Sequence, residues 1–477
     1  VNFSADQCYE VVKARDARFD GLLFVGVSTT GVYCRPVCPV RTPGRDRCSF
    51  FRSAAAAEAA GFRPCLRCRP ELSPGRAPID STQRLATAAL TRIEAGALSS
   101  GGVTRLAAEL GVSTRQLGRA IEAEYGVSPL ALAQTRRLLL AKQLLTDTSL
   151  KVIDVAFASG FTSVRQFNRQ FRSSYRMNPR ALRKTEAPAS ERFTLQLGYR
   201  EPLAWRELIQ FLAARAAPQT EQASGDRYVR SVRIGQRCGV ICARPMRPGV
   251  LAVEVSAALL PVLAELCVRL RRSFDLGANP SVIQAALTAR RELLPELTEG
   301  LRVPGAFDGF ELALRAVLGQ RVSVRAATTL YGRFVDTFGA ALDPPELGLT
   351  RLSPRASDVA NASLQQLIVR GLPRQRAEAV RALARASADG TVALDPPCDF
   401  ERARAQLREL PGIGAWTAEY IALRGLGDPD AFPHFDLGLL RAAKLHDPAE
   451  LLARAQVYRP WRGYAAMQLW HSDTKGA

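Results

Sequence analysis

The sequence predicts a multidomain chain, mainly α-helical with α+β parts, and three observations carry that reading. Four of its ten cysteines fall into two short-spaced pairs near the start. A helix, tight turn and second helix over 103–129 return about 50 residues later. Alternating strand runs at 228–234, 239–243 and 250–255 then give way, from about 303, to helical periodicity broken by Pro and Gly. A length of 477 residues suits about three domains, give or take one. No apolar run approaches the ~18 residues of a membrane span. No basic-then-apolar segment opens the chain, so the expected compartment is the cytoplasm.

The formal charge of +20 points to a polyanionic partner. Only 6 of the 65 basic residues are Lys, which a GC-rich coding bias explains, but that bias does not explain the sign. The densest part is 80–185, at +9. A membrane surface is the rival partner, and no basic amphipathic anchor helix supports it.

Cys34-x3-Cys38 and Cys65-x2-Cys68 are separated by 26 residues. Each pair can turn two thiolates toward one ion, which suits a closed Zn(Cys)4 site in a small domain. A purely structural zinc site is the commoner outcome of such spacing, and disulfides are disfavoured in a reducing compartment. Cys238-x3-Cys242 has a different setting. It lies in a strand-like apolar run where i and i+4 share a face, and we read it as core.

The residues around the first pair, Thr29-Thr30-Gly31-Val32-Tyr33-Cys34-Arg35-Pro36-Val37-Cys38-Pro39, and the second, Gly61-Phe62-Arg63-Pro64-Cys65-Leu66-Arg67-Cys68-Arg69-Pro70, resemble the N-terminal domain of Ada-type adaptive-response proteins over roughly residues 1–75. The resemblance implies one Zn2+ on Cys34, Cys38, Cys65 and Cys68. It also implies that Cys34 accepts a methyl group from a DNA methylphosphotriester. Zinc keeps sulfur as thiolate, the state that attacks carbon. Methylation makes a neutral thioether, and losing a negative charge beside phosphates should tighten DNA binding, so damage becomes a switch.

After a linker at 73–78, Val103, Leu106, Ala107 and Leu110 form one helical stripe. Gly111-Val112-Ser113 breaks it, and Leu117 and Ile121 continue on a second helix. Arg115-Gln116-Leu117 is echoed by Arg165-Gln166-Phe167, Arg119 by Arg169, Tyr125 by Tyr175 and Pro129 by Pro179, with a long helix around 136–145 between the copies. The pair resembles the double helix-turn-helix of AraC-type activators over about 80–184. In that geometry the outward polar residues of each second helix meet base edges. These are Thr114, Arg115, Gln116 and Arg119, then Ser163, Arg165, Gln166, Asn168 and Arg169. A generic helical hairpin is the plainer alternative.

Beyond a second linker at 187–191, an apolar helix around 208–215 precedes the strand runs. Leu410-Pro411-Gly412-Ile413-Gly414-Ala415-Trp416-Thr417-Ala418 reads as helix, Pro-Gly-x-Gly turn, helix, whose amides can hold a phosphate without reading sequence. Alone, such a turn is weak evidence. Asp436 follows 22 residues past Gly414, ahead of Leu437-Gly438-Leu439-Leu440. With Phe211-Leu212-Ala213-Ala214-Arg215-Ala216, Ala316-Val317-Leu318-Gly319-Gln320, Ala422-Leu423-Arg424-Gly425 and Pro460-Trp461-Arg462-Gly463-Tyr464-Ala465, this arrangement resembles helix-hairpin-helix DNA glycosylases of the AlkA type, over essentially 192–472.

The resemblance makes Asp436 the catalytic aspartate, although by position it is also a good helix N-cap. It makes Phe211, Trp416, Tyr420 and Trp470 the base pocket, and Gln320, Arg321, Gly412 and Gly414 DNA contacts. Electron-rich aromatic walls would favour a flipped base made cationic by alkylation. Taken singly, each aromatic could equally be core. Lysine-using relatives carry their Schiff-base Lys where this chain has Trp416, which implies hydrolysis without strand cleavage. Two departures stand out. Arg321 replaces an apolar wedge, and His434-Phe435 precede the aspartate where small residues are usual.

The expected domains are therefore 1–75 (zinc, methyl-accepting), 80–184 (double helix-turn-helix), 192–302 (small α+β) and 303–477 (helical glycosylase). Zinc is the one expected cofactor, besides room for a monovalent cation at the hairpin. Expected partners are alkylated and promoter double-stranded DNA and RNA polymerase, with the chain a bacterial, nucleoid-associated monomer. No Pro-Cys-His-Arg motif occurs, so O6-methylguanine repair is not expected. The alternatives are a sensor-activator with a degenerate glycosylase half, and a DNA-binding zinc protein with an inert Cys34.

Overall fold

The computed structural model describes residues 3–75, 84–183, 191–290, 292–294, 296–394, 396 and 399–475. Half of the first expected linker, most of the second, and Cys398 lie outside the described residues. The chain divides into two compact units, one of Val1–Arg200, Met246–Arg271 and Leu276–Ala278, the other of Glu201–Pro245, Arg272–Asp275 and Asn279–Ala477. Among the described residues no helix is long and apolar enough to cross a membrane.

The first unit opens with a four-stranded sheet, in the order Cys48–Phe51, Phe24–Val27, Val32–Cys34, Arg63–Pro64. The central pair is antiparallel with Val25 opposite Cys34, and the last strand runs parallel with Tyr33 opposite Pro64. Position 26 has to be glycine, because a Cβ there would come within 2.8–2.9 Å of the Phe51 and Phe62 rings. The helix Ala54–Ala59 covers this sheet, with Phe24, Tyr33, Ala54, Ala57 and Leu139 forming one buried cluster.

The duplicated helical pattern follows. Each second helix, Thr114–Tyr125 and Val164–Tyr175, starts where a serine hydroxyl (Ser113, Ser163) takes the backbone N–H three residues on, which satisfies an otherwise orphaned donor. The first ends at Gly126 and the second at Arg176, both left-handed. Leu117, Ile121 and Tyr125 are buried in one copy, and Phe167, Phe171 and Tyr175 in the other, so the repeat seen in the sequence is a repeat of core positions. In the second copy those rings form an edge-to-face ladder at 5.4 and 4.7 Å. Full burial of each such side chain contributes roughly 2–3 kcal/mol. The helix expected at 136–145 spans Pro129–Asp147. The strand Arg192–Gly198 pairs antiparallel with Val250–Ser256 in the same unit.

In the second unit, Arg227–Ile234 pairs antiparallel with Glu221–Ser224 and with Arg237–Arg247. Cys242 is buried with Val229, Val240, Leu342, Leu349 and Leu352, and Cys238 packs against that cluster. The remainder is helical, with one departure from the sequence pattern: Ala341–Glu346 and Leu349–Arg351 form a hairpin. Its turn, Leu347-Gly348, has positive φ at both positions. Pro344 and Pro345 interrupt the strand and hid it in the sequence.

A largely buried ion cluster ties strand to helix here. Arg230 pairs with Glu311 at 2.7 Å, and Arg315 pairs with Glu221 at 2.6 Å and Glu311 at 2.7 Å. Arg315 also donates to the Arg215 carbonyl at 2.7 Å, which fixes the chain just past the helix Trp205–Ala213.

Candidate functional site

Sheet register assembles the cysteine cluster. Cys34 ends its strand, and Cys65 follows the strand paired beside it, with its N–H on the Tyr33 carbonyl at 3.0 Å. The Arg35-Pro36 turn brings Cys38 back, with its N–H on the Arg35 carbonyl at 3.1 Å. The four buried Sγ atoms all lie within 4.8 Å of one another. Tetrahedral Zn–S bonds of about 2.3 Å put sulfurs about 3.8 Å apart, so the donor set fits zinc. The Arg35 N–H donates to Cys68 Sγ at 3.4 Å, and its guanidinium is clamped by Asp20 while donating to the Cys68 carbonyl at 3.2 Å. A half-buried guanidinium, itself paired with Asp20, thus sits beside the cysteine sulfurs.

Within this unit the cysteine module is joined to the helical repeat by buried polar contacts that the sequence did not reveal. Lys142 reaches Glu71 at 2.6 Å, and Arg69 bridges Glu71 and Asp147 at 2.9 and 2.8 Å. Ser53 donates to the Tyr125 carbonyl at 2.7 Å. Glu58 accepts from Tyr33, the neighbour of Cys34, at 3.0 Å and from Thr135 at 2.8 Å, and its charge acts on Tyr175. Burial pushes the Glu58 carboxyl up to about 7, against the pull of these hydroxyls and Lys142. One short helix thus contacts the ends of both repeated helices.

On those helices Thr114, Arg115, Gln116, Arg119, Ser163, Arg165 and Arg169 are exposed, while Gln166 and Asn168 are half-buried. Among the described residues, none of Arg115, Arg119, Arg165 or Arg169 has an ion-pair partner. Arg165, Asn168, Arg169 and Arg172 line one open groove. Gln116 is only partly available, because its carbonyl accepts from the Ser113 N–H and hydroxyl at 3.0 Å each.

In the second unit the Pro-Gly-x-Gly turn links Phe400–Arg408 to Ala415–Ile421. Gly412 has φ +77°, and a Cβ there would lie 2.6 Å from that of Ala379. Gln320 braces the turn from inside: its amide donates to the Gly412 carbonyl at 2.8 Å and to Thr417 at 2.9 Å. That leaves only its carbonyl oxygen for DNA. Arg321 is exposed and left-handed, at φ +55°.

Asp436 caps Leu437–Ala443 and does more than cap. Oδ1 accepts from the Gly438 and Leu439 amides at 2.9 and 3.1 Å and from Trp470 Nε1 at 2.9 Å, while Oδ2 accepts from Trp416 Nε1 at 2.8 Å. Four donors thus converge on its two oxygens. Trp416 stacks on Tyr420 at 5.3 Å and 18°, and Tyr420 meets Trp470 at 6.0 Å, so three of the four expected pocket aromatics form one group, two of them bonded to the carboxylate. The loop leading in is held by Glu419, which accepts from the Phe432 amide at 3.1 Å. His434 and Phe435 pack together, tilted by 41° at 4.4 Å, with Phe435 50% exposed rather than packed inside.

Phe211 joins the group through two cations the sequence reading did not assign. Arg215 lies 3.6 Å and Arg424 4.8 Å from its ring centroid. Arg424 is buried, donates Nε–H to the Pro304 carbonyl at 2.7 Å, and donates Nη1–H to the Tyr420 hydroxyl at 2.6 Å. Their sequence signal was the i, i+4 spacing of Tyr420 and Arg424 and of Phe211 and Arg215, one helical turn each.

Four family models match successive segments: the metal-binding domain of Ada over residues 7–71, a helix-turn-helix domain over 106–185, the AlkA N-terminal domain over 194–308, and the HhH-GPD superfamily of base excision DNA repair proteins over 314–454. The chain is similar to the probable bifunctional transcriptional activator/DNA repair enzyme AlkA of Mycobacterium tuberculosis, at 41% identity over 98% of this chain and 96% of the relative. It is similar to DNA-3-methyladenine glycosylase 2 of Escherichia coli, at 37% identity over 58% of this chain and 96% of the relative. The 3-methyladenine DNA-glycosylase of Archaeoglobus fulgidus shares the fold, with a TM-score of 0.51 at 19% identity over 59% of this chain and 99% of that one.

Proposed function

The chain belongs to the family of bifunctional transcriptional activator/DNA repair enzymes of the AlkA type, and from that premise we propose that it repairs alkylated DNA at two centres and reports the damage to transcription. Cys34, Cys38, Cys65 and Cys68 hold one zinc ion, which keeps them as thiolates. The Cys34 thiolate attacks the methyl carbon of a methylphosphotriester. The S–C bond forms, the C–O bond breaks and a phosphodiester anion leaves. The thioether has no route back, so each chain acts once. Loss of one negative charge lowers repulsion from the phosphates. Promoter DNA is then read through Arg115, Gln116, Arg119, Arg165, Gln166, Asn168 and Arg169, with RNA polymerase as the partner of a monomeric activator.

The second centre is a DNA glycosylase. Amides around Gly412 and Gly414 hold a backbone phosphate, Gln320 braces that turn, and Arg321 contacts DNA where relatives insert an apolar wedge. Phe211, Trp416, Tyr420 and Trp470 receive the flipped base. Breaking its N-glycosidic bond leaves an oxocarbenium-like sugar, which the Asp436 carboxylate stabilises while accepting a proton from the attacking water. Trp416 supplies no amine, so the reaction stops at hydrolysis, without strand cleavage. In this reading the four domains are 1–75, 80–184, 192–302 and 303–477.

The observation that carries the glycosylase reading is the Asp436 carboxylate held between two indole N–H groups. A cap alone needs only the two amides. Its test is release of free 3-methyladenine from alkylated duplex DNA by the purified chain. Absence of released base would leave a DNA-holding module instead.

A further inference from the structure

We propose that the cysteine module has a second function: it is the seat on which the N-terminal segment of the glycosylase half is held, with Arg200 as the pin. Base excision then depends on zinc, although the glycosylase half supplies no ligand to the ion, and loss of the metal silences both repair centres. The part that concerns base excision rests on the glycosylase reading above.

The two compact units do not part at the linker between sensor and glycosylase. Residues 192–200, 246–271 and 276–278 lie within the small α+β domain expected at 192–302, yet they belong to the unit of the cysteine module and the helical repeat. The strand Arg192–Gly198 shows how they are held. A Cβ on Gly198 would lie 1.8 Å from the carbonyl oxygen of Leu72, four residues past the zinc ligand Cys68, so only glycine allows this approach of two backbones. Gln143, on the long helix Pro129–Asp147, donates to the Gln196 carbonyl. Arg271 donates to the Gly198 carbonyl at 3.4 Å from the helix Leu263–Ser273.

Arg200, only 3% exposed, gathers these segments. Its Nη2 donates to the Asp20 carbonyl at 2.7 Å, and its Nη1 to the Gly277 carbonyl at 2.7 Å and the Gly75 carbonyl at 3.1 Å. The carboxylate of the same Asp20 clamps Arg35, whose backbone N–H donates to Cys68 Sγ at 3.4 Å. A continuous set of contacts thus runs from a zinc ligand to the end of the glycosylase strand. In sequence, the pinned residues adjoin the supports of the base pocket. The helix that carries Phe211 begins at Trp205, five residues past Arg200. Asp275, two residues before Gly277, accepts from Tyr464 at 2.7 Å, on the helix that carries Trp470. Small zinc modules draw their folding energy from the ion. Without it Arg200 loses its acceptors at Asp20 and Gly75, and the strand loses its backing at Leu72.

Hydrogen exchange of the full chain, zinc-loaded and chelator-stripped, tests this by mass spectrometry on peptides covering 192–200 and 250–256, with 309–318 as the internal control. Stripping should speed exchange in the first two by at least about 10-fold and leave the control unchanged, and single-turnover release of 7-methylguanine should fall by a similar factor. Arg200→Met should give the same pattern at about 10-fold, the scale of a lost charge-assisted hydrogen bond, with one zinc still bound by metal analysis. Unchanged exchange at 192–200 after stripping, an equal rise in all three peptides, undiminished base release by the stripped chain, or an Arg200→Met variant that behaves as the wild type would each overturn the proposal. Exchange that responds as expected in a chain whose zinc-loaded form releases no base would instead remove the glycosylase reading and leave the seat standing.

Discussion

Replacing Glu58 by Gln should change how the first unit depends on pH, and the structure sets the size of the effect. Burial raises the Glu58 carboxyl from 4.5 to about 7, despite the Thr135 and Tyr33 hydroxyls and the charge of Lys142. A carboxyl whose pKa rises on folding binds its proton more tightly in the folded state. The unfolded chain therefore ionises first, and stability falls as pH climbs between those two values. Below 4.5 both states are protonated and nothing is lost, whereas above about 7 the whole penalty applies. At 1.36 kcal/mol per pKa unit this is about 3 kcal/mol, or roughly 100-fold in an opening equilibrium. Gln does not titrate, and both hydroxyls can rotate to meet its amide. Hydrogen exchange of the zinc-loaded chain, followed by mass spectrometry on peptides covering 54–60 and 129–147, reads the effect directly. All four Trp residues lie in the second unit, so their fluorescence would miss it. After correction for intrinsic exchange, protection in the wild type should drop from pH 5 to pH 8 by about that factor more than in Glu58→Gln. Parallel profiles for the two proteins would refute the account of Glu58 as a buried, proton-holding node.

Three further outcomes follow from particular contacts. Asp436→Asn keeps most of the cap but removes the charge and turns a donor toward Trp416 Nε1, so base release measured in single turnover should fall on the order of 100-fold or more while duplex binding persists. Gly412→Ala forces a Cβ to within 2.6 Å of Ala379 at positive φ, which should weaken DNA binding measured by fluorescence anisotropy while sparing methyl uptake at Cys34. Cys38→Ser should cost the chain its one zinc, read by metal analysis, and unfold the first ~75 residues, because small zinc modules draw their folding energy from the ion.

Much of this organisation was legible in the sequence because its signals are local. The cysteine spacings, the 50-residue echo of Leu117, Ile121 and Tyr125, and the Pro-Gly-x-Gly turn each depend on a short stretch of chain. Other features depend on distant segments meeting. Glu58 joins Tyr33, Thr135 and Tyr175 only in the folded unit, and nothing in Ala54–Ala59 announces a buried acid. Arg215 and Arg424 were visible as matched residues, yet their seat on Phe211 appears only when the helix Trp205–Ala213 is packed against the rest of its unit. Gln320 is expected from the resemblance to be a DNA contact, whereas its amide is spent on the hairpin. The 341–351 hairpin was hidden by Pro344 and Pro345, which look like punctuation in a helical stretch.

The most direct test of the central claim, that one chain both takes methyl groups from the DNA backbone and excises damaged bases, uses a single reaction. The zinc-loaded protein is incubated with a duplex carrying one methylphosphotriester and one 7-methylguanine. Peptide mass spectrometry then locates any added methyl, and chromatography measures free base. One methyl on Cys34, together with free 7-methylguanine from an unbroken strand, is the predicted result. A methyl on another cysteine, no methyl at all, or no released base would contradict it.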